Sequence, residues 1–467
     1  MRLMMSNGSL ARCGLSLIAG LLLQSPVTRA QEAPPLPIAL GFGADDEPVA
    51  MRLRDVGFLV KREAGWQMLC AAAIEVSGAS NFYVDGLPSG GLVLSHFKGL
   101  QHTSADYCDL SYPDPQLEGV NVVDVARLGD TFYALVSLQD GGAIYKSEDA
   151  GATFALMAEL PPDLVYFTLA ASPSDNQRLY ATAVSVDIDA GTSLRHLVRS
   201  KDGGQNFEVL SLELGQTTKT ELLGVDPEDP DRLFLSFTQG VSSHSHGEES
   251  HLVDEFLVSE DAGDTWSSTL RPALLGGFAQ DATTGEIWIG DAEGGLHHSS
   301  DRGASFELVD AELIVTCLAS RGSRLWACGD SGMQDFSLGY SDDGGQSFST
   351  VARFDRDVTG PLECGGQPLS ICKAPWTSFM FWNGQGGQGG QDAGATSSTN
   401  SPDAGGSGNG GFDAGVAPGD ASATEAIDRG EDSGGCDCRT LGEGNSGGGL
   451  LVGLSLSWLM VRRRRRL

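Results

Sequence analysis

One eight-residue pattern, Ser-x-Asp-x-Gly-x-x-aromatic, occurs five times in this chain and restricts the fold more than any other feature. The copies are Ser147-Asp149-Gly151-Phe154, Ser200-Asp202-Gly204-Phe207, Ser259-Asp261-Gly263-Trp266, Ser299-Asp301-Gly303-Phe306 and Ser341-Asp343-Gly345-Phe348. Their starts lie 53, 59, 40 and 42 residues apart, close to the length of one four-stranded propeller blade. Ser and Asp side chains hydrogen-bond to nearby backbone in turns, and Gly supplies a backbone angle that other residues resist. Each copy therefore reads as a turn between a third and a fourth strand, with the aromatic dropped between adjacent sheets. The five aspartates are expected to shape the chain rather than to catalyse.

A second repeat lies upstream of these turns. Ser172-Pro173-Ser174-Asp175-Asn176-Gln177-Arg178-Leu179-Tyr180 and Asp226-Pro227-Glu228-Asp229-Pro230-Asp231-Arg232-Leu233-Phe234 each read as a turn followed by an apolar strand. Shorter equivalents begin at Arg127, Thr284 and Arg321. Each unit then runs strand, tight turn, strand, loop, strand, box, strand. Over residues 119–352 the motifs resemble the Asp-box, or BNR, repeat of sialidase-like and sortilin-like propellers. The resemblance implies an all-β propeller, expected to span residues 36–383. Upstream, Phe58 to Trp66 looks like a decayed box, and residues 70–110 hold another unit with strands at Phe82–Val84 and Gly91–Leu94. Residues 353–383 are too short for a whole blade. If strands from about residue 48 to 70 complete that partial blade, the count is seven four-stranded blades and the ring closes without free edges. Six or eight blades also fit so decayed a repeat.

The two ends read as addresses. Residues 1–30 carry Arg2 and Arg12, then an apolar stretch from Leu15 to Leu23, as in a secretory signal peptide cut after Ala30. Residues 384–435 begin a Gly/Ser/Asp-rich linker, and the stretch 384–449 holds 21 Gly in 66 positions. Such a composition is expected to stay disordered. Within residues 436–467, Cys436 and Cys438 precede an apolar run from Leu450 to Val461 and the cluster Arg462 to Arg466. These three ordered parts resemble the MYXO-CTERM sorting tail of myxobacterial surface proteins. The resemblance implies processing near Cys436 and Cys438 by a sortase-like membrane protease, and cell-surface or outer-membrane delivery. An ordinary C-terminal membrane anchor is the alternative.

Acidic residues outnumber basic ones 62 to 30, a net charge of −32 that repels phosphate backbones and argues against a nucleic-acid partner. Six cysteines belong to the body. Proximity along the chain pairs Cys70 with Cys108, Cys317 with Cys328 and Cys364 with Cys372, although six cysteines permit 15 connectivities. The middle pair has the best case, because its two segments face each other across an evident hairpin.

Groups suited to chemistry are sparse. A sialidase-type glycosidase needs an arginine cluster for the substrate carboxylate, an acid and a Tyr/Glu nucleophile pair. The Arg-Ile-Pro motif that carries the first family arginine is missing from the sequence. Arg195, Arg199, Tyr166 and Glu221 fall near expected blade loops, but no spacing groups them. The insertion containing His244, His246, Glu248, Glu249 and His251 offers donor types for a divalent metal such as Zn²⁺, yet reads more simply as a surface loop. Asp187 to Gly191 starts like a calcium loop but lacks the downstream Glu, so a hairpin tip is expected. His297 and His298 read as part of a strand. No cofactor is expected. The expected function is that of an exported, non-catalytic binding or scaffold module for a surface protein, peptide or glycan, engaged through the central face or top loops. An exo-sialidase or related glycosidase with a degenerate motif set is the alternative.

Overall fold

The computed structural model describes residues 36–382, apart from 55, 75–82, 139, 188–190, 215–216 and 242–250. The chain divides at residue 393, and all described residues belong to the first unit. The linker, the sorting tail with Cys436 and Cys438, and the leader lie outside the described residues, as do His244 and His246.

Seven antiparallel four-stranded blades follow one another in a ring, a β-propeller. Blade 1 is Pro37–Phe42, Pro48–Leu53, Gly57–Arg62 and Gly65–Cys70, and blade 2 is Val84–Gly86, Leu92–His96, Gly99–Thr103 and Leu110–Ser111. Blade 3 is Asn121–Leu128, Thr131–Leu138, Gly141–Ser147 and Ala155–Leu160, and blade 4 is Val165–Ala171, Leu179–Asp187, Thr192–Ser200 and Glu208–Leu212. Blade 5 is Thr217–Val225, Leu233–Val241, His251–Ser259 and Ser267–Leu270, and blade 6 is Leu275–Gln280, Ile287–Asp291, Leu296–Ser299 and Glu307–Asp310. Blade 7 is Cys317–Arg321, Arg324–Cys328, Leu338–Ser341 and Ser349–Ala352.

The second strands are apolar on both faces because each is sandwiched between neighbouring blades. In Thr131–Leu138, Phe132, Ala134 and Val136 pack toward blade 2, whereas Tyr133 and Leu135 pack toward blade 4. Polar side chains then stitch adjacent blades by capturing backbone groups. Asp85 Oδ1 accepts from Phe42 N at 2.8 Å, and Asp124 Oδ2 accepts from Leu169 N at 2.8 Å. Thr168 Oγ1 accepts from Leu222 N at 3.1 Å, and Asp254 Oδ2 accepts from Leu275 N at 2.6 Å. Across the closing seam, Thr316 Oγ1 donates to Pro37 O at 2.6 Å.

Closure differs from the sequence expectation. The N-terminal strands do not complete a partial C-terminal blade, since Pro37 to Cys70 already make all of blade 1. After blade 7 the chain runs outward and adds Val358–Pro361 to the outer strand Gly65–Cys70, in parallel, with Val358 opposite Trp66. That edge is the one left open once four strands are paired. The same segment seals the seam: Phe354, Val358, Cys372 and Phe379 pack with Trp326 and Leu338 of blade 7 and with Met51, Trp66 and Met68 of blade 1. It ends in a short helix, Lys373–Trp382, the longest helical element among the described residues.

The disulfides correct two of the three pairings drawn from chain proximity. Cys70 bonds Cys372 and Cys108 bonds Cys364, across 302 and 256 residues, while Cys317 bonds Cys328 as expected. The C-terminal segment crosses back over blades 1 and 2, so cysteines remote in sequence become neighbours. A ring always brings its two ends together, and this defeats pairing by proximity.

Candidate functional site

Antiparallel strands divide the turns between two rims. The first-to-second and third-to-fourth turns share one rim, while the second-to-third hairpins and the blade-to-blade crossings share the other.

The five boxes occupy the first rim. In each, the Ser ends the third strand, and its Oγ donates to Asp Oδ1 at 2.7–2.9 Å while accepting the Gly N–H at 2.7–2.9 Å. The Asp Oδ1 also accepts the N–H of the residue four places on, at 2.8–2.9 Å. That residue's side chain donates to Oδ2 at 2.6–2.7 Å, and it is Thr153, Asn206, Thr265, Ser305 and Ser347 in turn. Sequence reasoning missed this position, although a polar residue directly before the aromatic in all five copies was a readable signal. These donors, with the side chains of Thr153, Ser305 and Ser347 foremost, hold Asp149, Asp301 and Asp343 down at about pKa 2. Asn206 lowers Asp202 in the same way. At Asp261 partial burial pushes up, but the hydrogen bonds of Thr265 and Ser259 prevail and the net shift is downward. All five carboxylates are thus committed to their own turns.

The opposite rim carries a small cleft between blades 4 and 5. Its walls are Phe167, Ala183, Val184 and Arg195 of blade 4 and Lys219, Thr220 and Glu221 of blade 5, over a floor of Thr168 and Thr182. Strand register explains the gathering. Val165, Val184 and Arg195 form one cross-strand row, with Thr182 paired to Thr168 one row deeper. A bulge between Tyr166 and Thr168 leaves Phe167 partly exposed. The Thr168 and Thr182 hydroxyls lie 2.5 Å apart, and Lys219 Nζ reaches Glu221 Oε1 at 2.6 Å. Loss of hydration lowers the Arg195 pKa. Nearby, Asp124 is raised to about 6, first by loss of water and further by Glu221, against the bonds from Leu169 and Val125.

Of the four residues weighed for glycosidase chemistry, the fold brings only Arg195 and Glu221 to one place. Tyr166 is buried on the blade 3 side of its sheet, and its hydroxyl donates to Pro161 O at 2.9 Å. Burial drives its pKa upward. Arg199, 6% exposed, is a structural cation: it binds Glu208 at 2.8 Å, Asp264 at 2.9 Å and the carbonyl of Ala262 at 2.9 Å, tying blade 4 to the box of blade 5. Phe167 and Lys219 had no sequence signal, because nothing in their local spacing tells which side chains two tall hairpins will face toward each other.

The remaining candidates are dispersed. Asp187 and Gly191 flank the tip of the blade 4 hairpin. His298 stacks on Trp288 with ring centres 5.0 Å apart and lies 3.5 Å from Glu307, inside the strand Leu296–Ser299. His251 opens the third strand of blade 5. No group of three metal-ligating side chains comes together among the described residues.

No protein-family model and no curated protein matches the chain. Solved structures match in shape. The chain is similar to a Kuenenia stuttgartiensis hydrazine synthase at 12% identity and TM-score 0.44, over 69% of this chain and 99% of that one. It is similar to YCF48 from Cyanidioschyzon merolae at 16% identity and TM-score 0.33, over 58% and 85%. A Hadza microbial sialidase matches at 11% identity and TM-score 0.33, over 50% and 60%. These likenesses concern the propeller fold and carry no argument about ligand or chemistry.

Proposed function

We propose that this chain is an exported, surface-displayed propeller that binds a protein, peptide or glycan without turning it over, and that the ligand seats in the cleft between blades 4 and 5. The observation that carries this reading is the company kept by Arg195 and Glu221. They share a cleft with the exposed Phe167 ring, threonine hydroxyls and Lys219, a mixture of apolar surface and a few placed polar groups suited to recognition. Tyr166, the partner that a Tyr/Glu nucleophile pair requires, is buried elsewhere with its hydroxyl engaged. Three disulfides are compatible with an extracellular location. Export, processing near Cys436 and Cys438 and a membrane contact through the tail rest on the sequence alone.

The soluble body, screened on glycan and peptide arrays and against fluorogenic sialosides, tests both readings together. Binding without turnover is expected, and Phe167→Ala should weaken it about tenfold, the loss of one aromatic contact. Binding unaffected by that change moves the ligand away from the cleft. Turnover abolished by Arg195→Ala or Glu221→Gln restores the glycosidase.

A further inference from the structure

The three disulfides differ in their surroundings. Both residues of Cys70–Cys372 and of Cys317–Cys328 are buried, whereas Cys108 and Cys364 are both partly exposed. Cys108 follows directly on Tyr107, whose φ of 64 is a left-handed conformation that strains a non-glycine residue. The Cys108 sulfur lies 3.5 Å from the carbonyl oxygen of Asp106, and Arg62 donates to that same oxygen at 2.6 Å. The Arg62 cation, held on the oxygen that the Cys108 sulfur faces, favours a thiolate there and so Cys108 as the leaving group, against the carbonyl oxygen of Glu363 at 3.6 Å from the same sulfur. The adjacent Asp106 carboxylate, which acts against this, is occupied by the Ser104 hydroxyl and the Cys108 N–H. Cys70–Cys372 combines none of this exposure and strain.

The bond also has something to release. Cys364 sits in the small hairpin Glu363–Cys364 and Gln367–Pro368, whose turn is Gly365-Gly366. Leu362 before it and Leu369 after it pack over the seam of blades 1 and 2, against Val60, Leu69, Leu92 and Leu94. On one side the strap is held by the strand Val358–Pro361, on the other by the buried Cys70–Cys372 bond. Opening Cys108–Cys364 therefore removes the strap's covalent tie to blade 2, leaving only the Leu362 and Leu369 packing there, and the ring stays closed.

We propose that Cys108–Cys364 is a thiol–disulfide exchange site for a small thiol, with the strap over blades 1 and 2 as the element it releases. A thiolate attacks Cys364 Sγ, the protein S–S bond breaks, and Cys108 leaves as a thiolate that takes up a proton. A second thiolate then attacks the thiol-derived sulfur of the mixed disulfide and expels Cys364, which is protonated in turn. Two small thiols are oxidised to their disulfide, and two electrons reduce the protein bond to two thiols.

The test exposes the folded full chain to graded glutathione without denaturant, traps free thiols with N-ethylmaleimide and maps the labelled peptides. Cys108 and Cys364 should be labelled roughly tenfold sooner than the other disulfide cysteines, with circular dichroism unchanged. The first mixed disulfide should appear on Cys364, and Arg62→Gln should slow its formation several-fold. Simultaneous labelling of all three pairs, or earlier labelling of Cys70 and Cys372, overturns the proposal. The double variant Cys108→Ser, Cys364→Ser separates exchange from unfolding: it should keep the native spectrum, and its collapse would show that the strap is not a separable element.

Discussion

At each box the carboxylate is stabilised by hydrogen bonds that exist only in the folded turn, so its folded pKa falls below the ordinary value near 4. The linked stability is complete above that value and is lost as pH falls through about 2, where Asp149, Asp301 and Asp343 titrate. Asp124 has the opposite sign. Its folded pKa is raised to about 6, so the stability linked to its protonated form is present below pH 4 and lost as pH rises through 6. Partly buried His102, lowered to about 4 by loss of water, contributes in the opposite sense as pH rises over the same window. The Asp124 contribution is therefore read by difference: calorimetry of Asp124→Asn should show stability declining less, or rising more, between pH 4 and 6 than in the parent chain. The glycines divide in the same local way. A Cβ on Gly263, at φ +93, would lie 2.1 Å from Leu197 Cδ2, whereas one on Gly344, at φ +75, would meet nothing within 4 Å. Gly344→Ala should cost about 1 kcal/mol of backbone strain alone, and Gly263→Ala about 2–4 kcal/mol in denaturant unfolding.

Strands and turns carry the next level of argument. The two closing disulfides act on one element, and each covers for the other. With Cys108–Cys364 intact, removing Cys70–Cys372 opens only a short remaining loop, and the reverse holds as well. Losing both frees a closure of 256 residues or more. In the chain-entropy picture the double loss should exceed the sum of the two single losses by about 1–2 kcal/mol, a coupling that a double-mutant cycle of Cys→Ser variants measures directly. The hairpin disulfide Cys317–Cys328 spans 11 residues nested inside both larger loops and shortens them only slightly, so its removal should add nearly independently. The strand order within each blade was legible because box and tight turn mark alternate connections. The stitching by Asp85, Asp124 and Asp254 was not, because a lone polar residue in a strand does not announce which neighbouring backbone it will meet.

For the whole molecule, the decisive element is the segment after blade 7. A chain ending at residue 353 loses the parallel strand Val358–Pro361, the seam packing of Phe354 and Phe379, and both closing disulfides. It should melt at markedly lower temperature and with reduced cooperativity, whereas a chain ending at residue 382 should melt as the full chain does. Thermal scans of the two truncations check this. Residues near one another in sequence determined a great deal: the repeat length, the place of each box between third and fourth strands, the turn chemistry of Ser147 or Asp149, and the apolar character of strands buried on both faces. These are local properties, written in spacing and side-chain type. Closure, cysteine pairing and the cleft were decided only by the tertiary structure. Val358 meets Trp66, Cys372 meets Cys70, and Arg195 faces Lys219 because a ring brings distant segments together, and no local preference records a contact between residues that become neighbours only when the last blade meets the first.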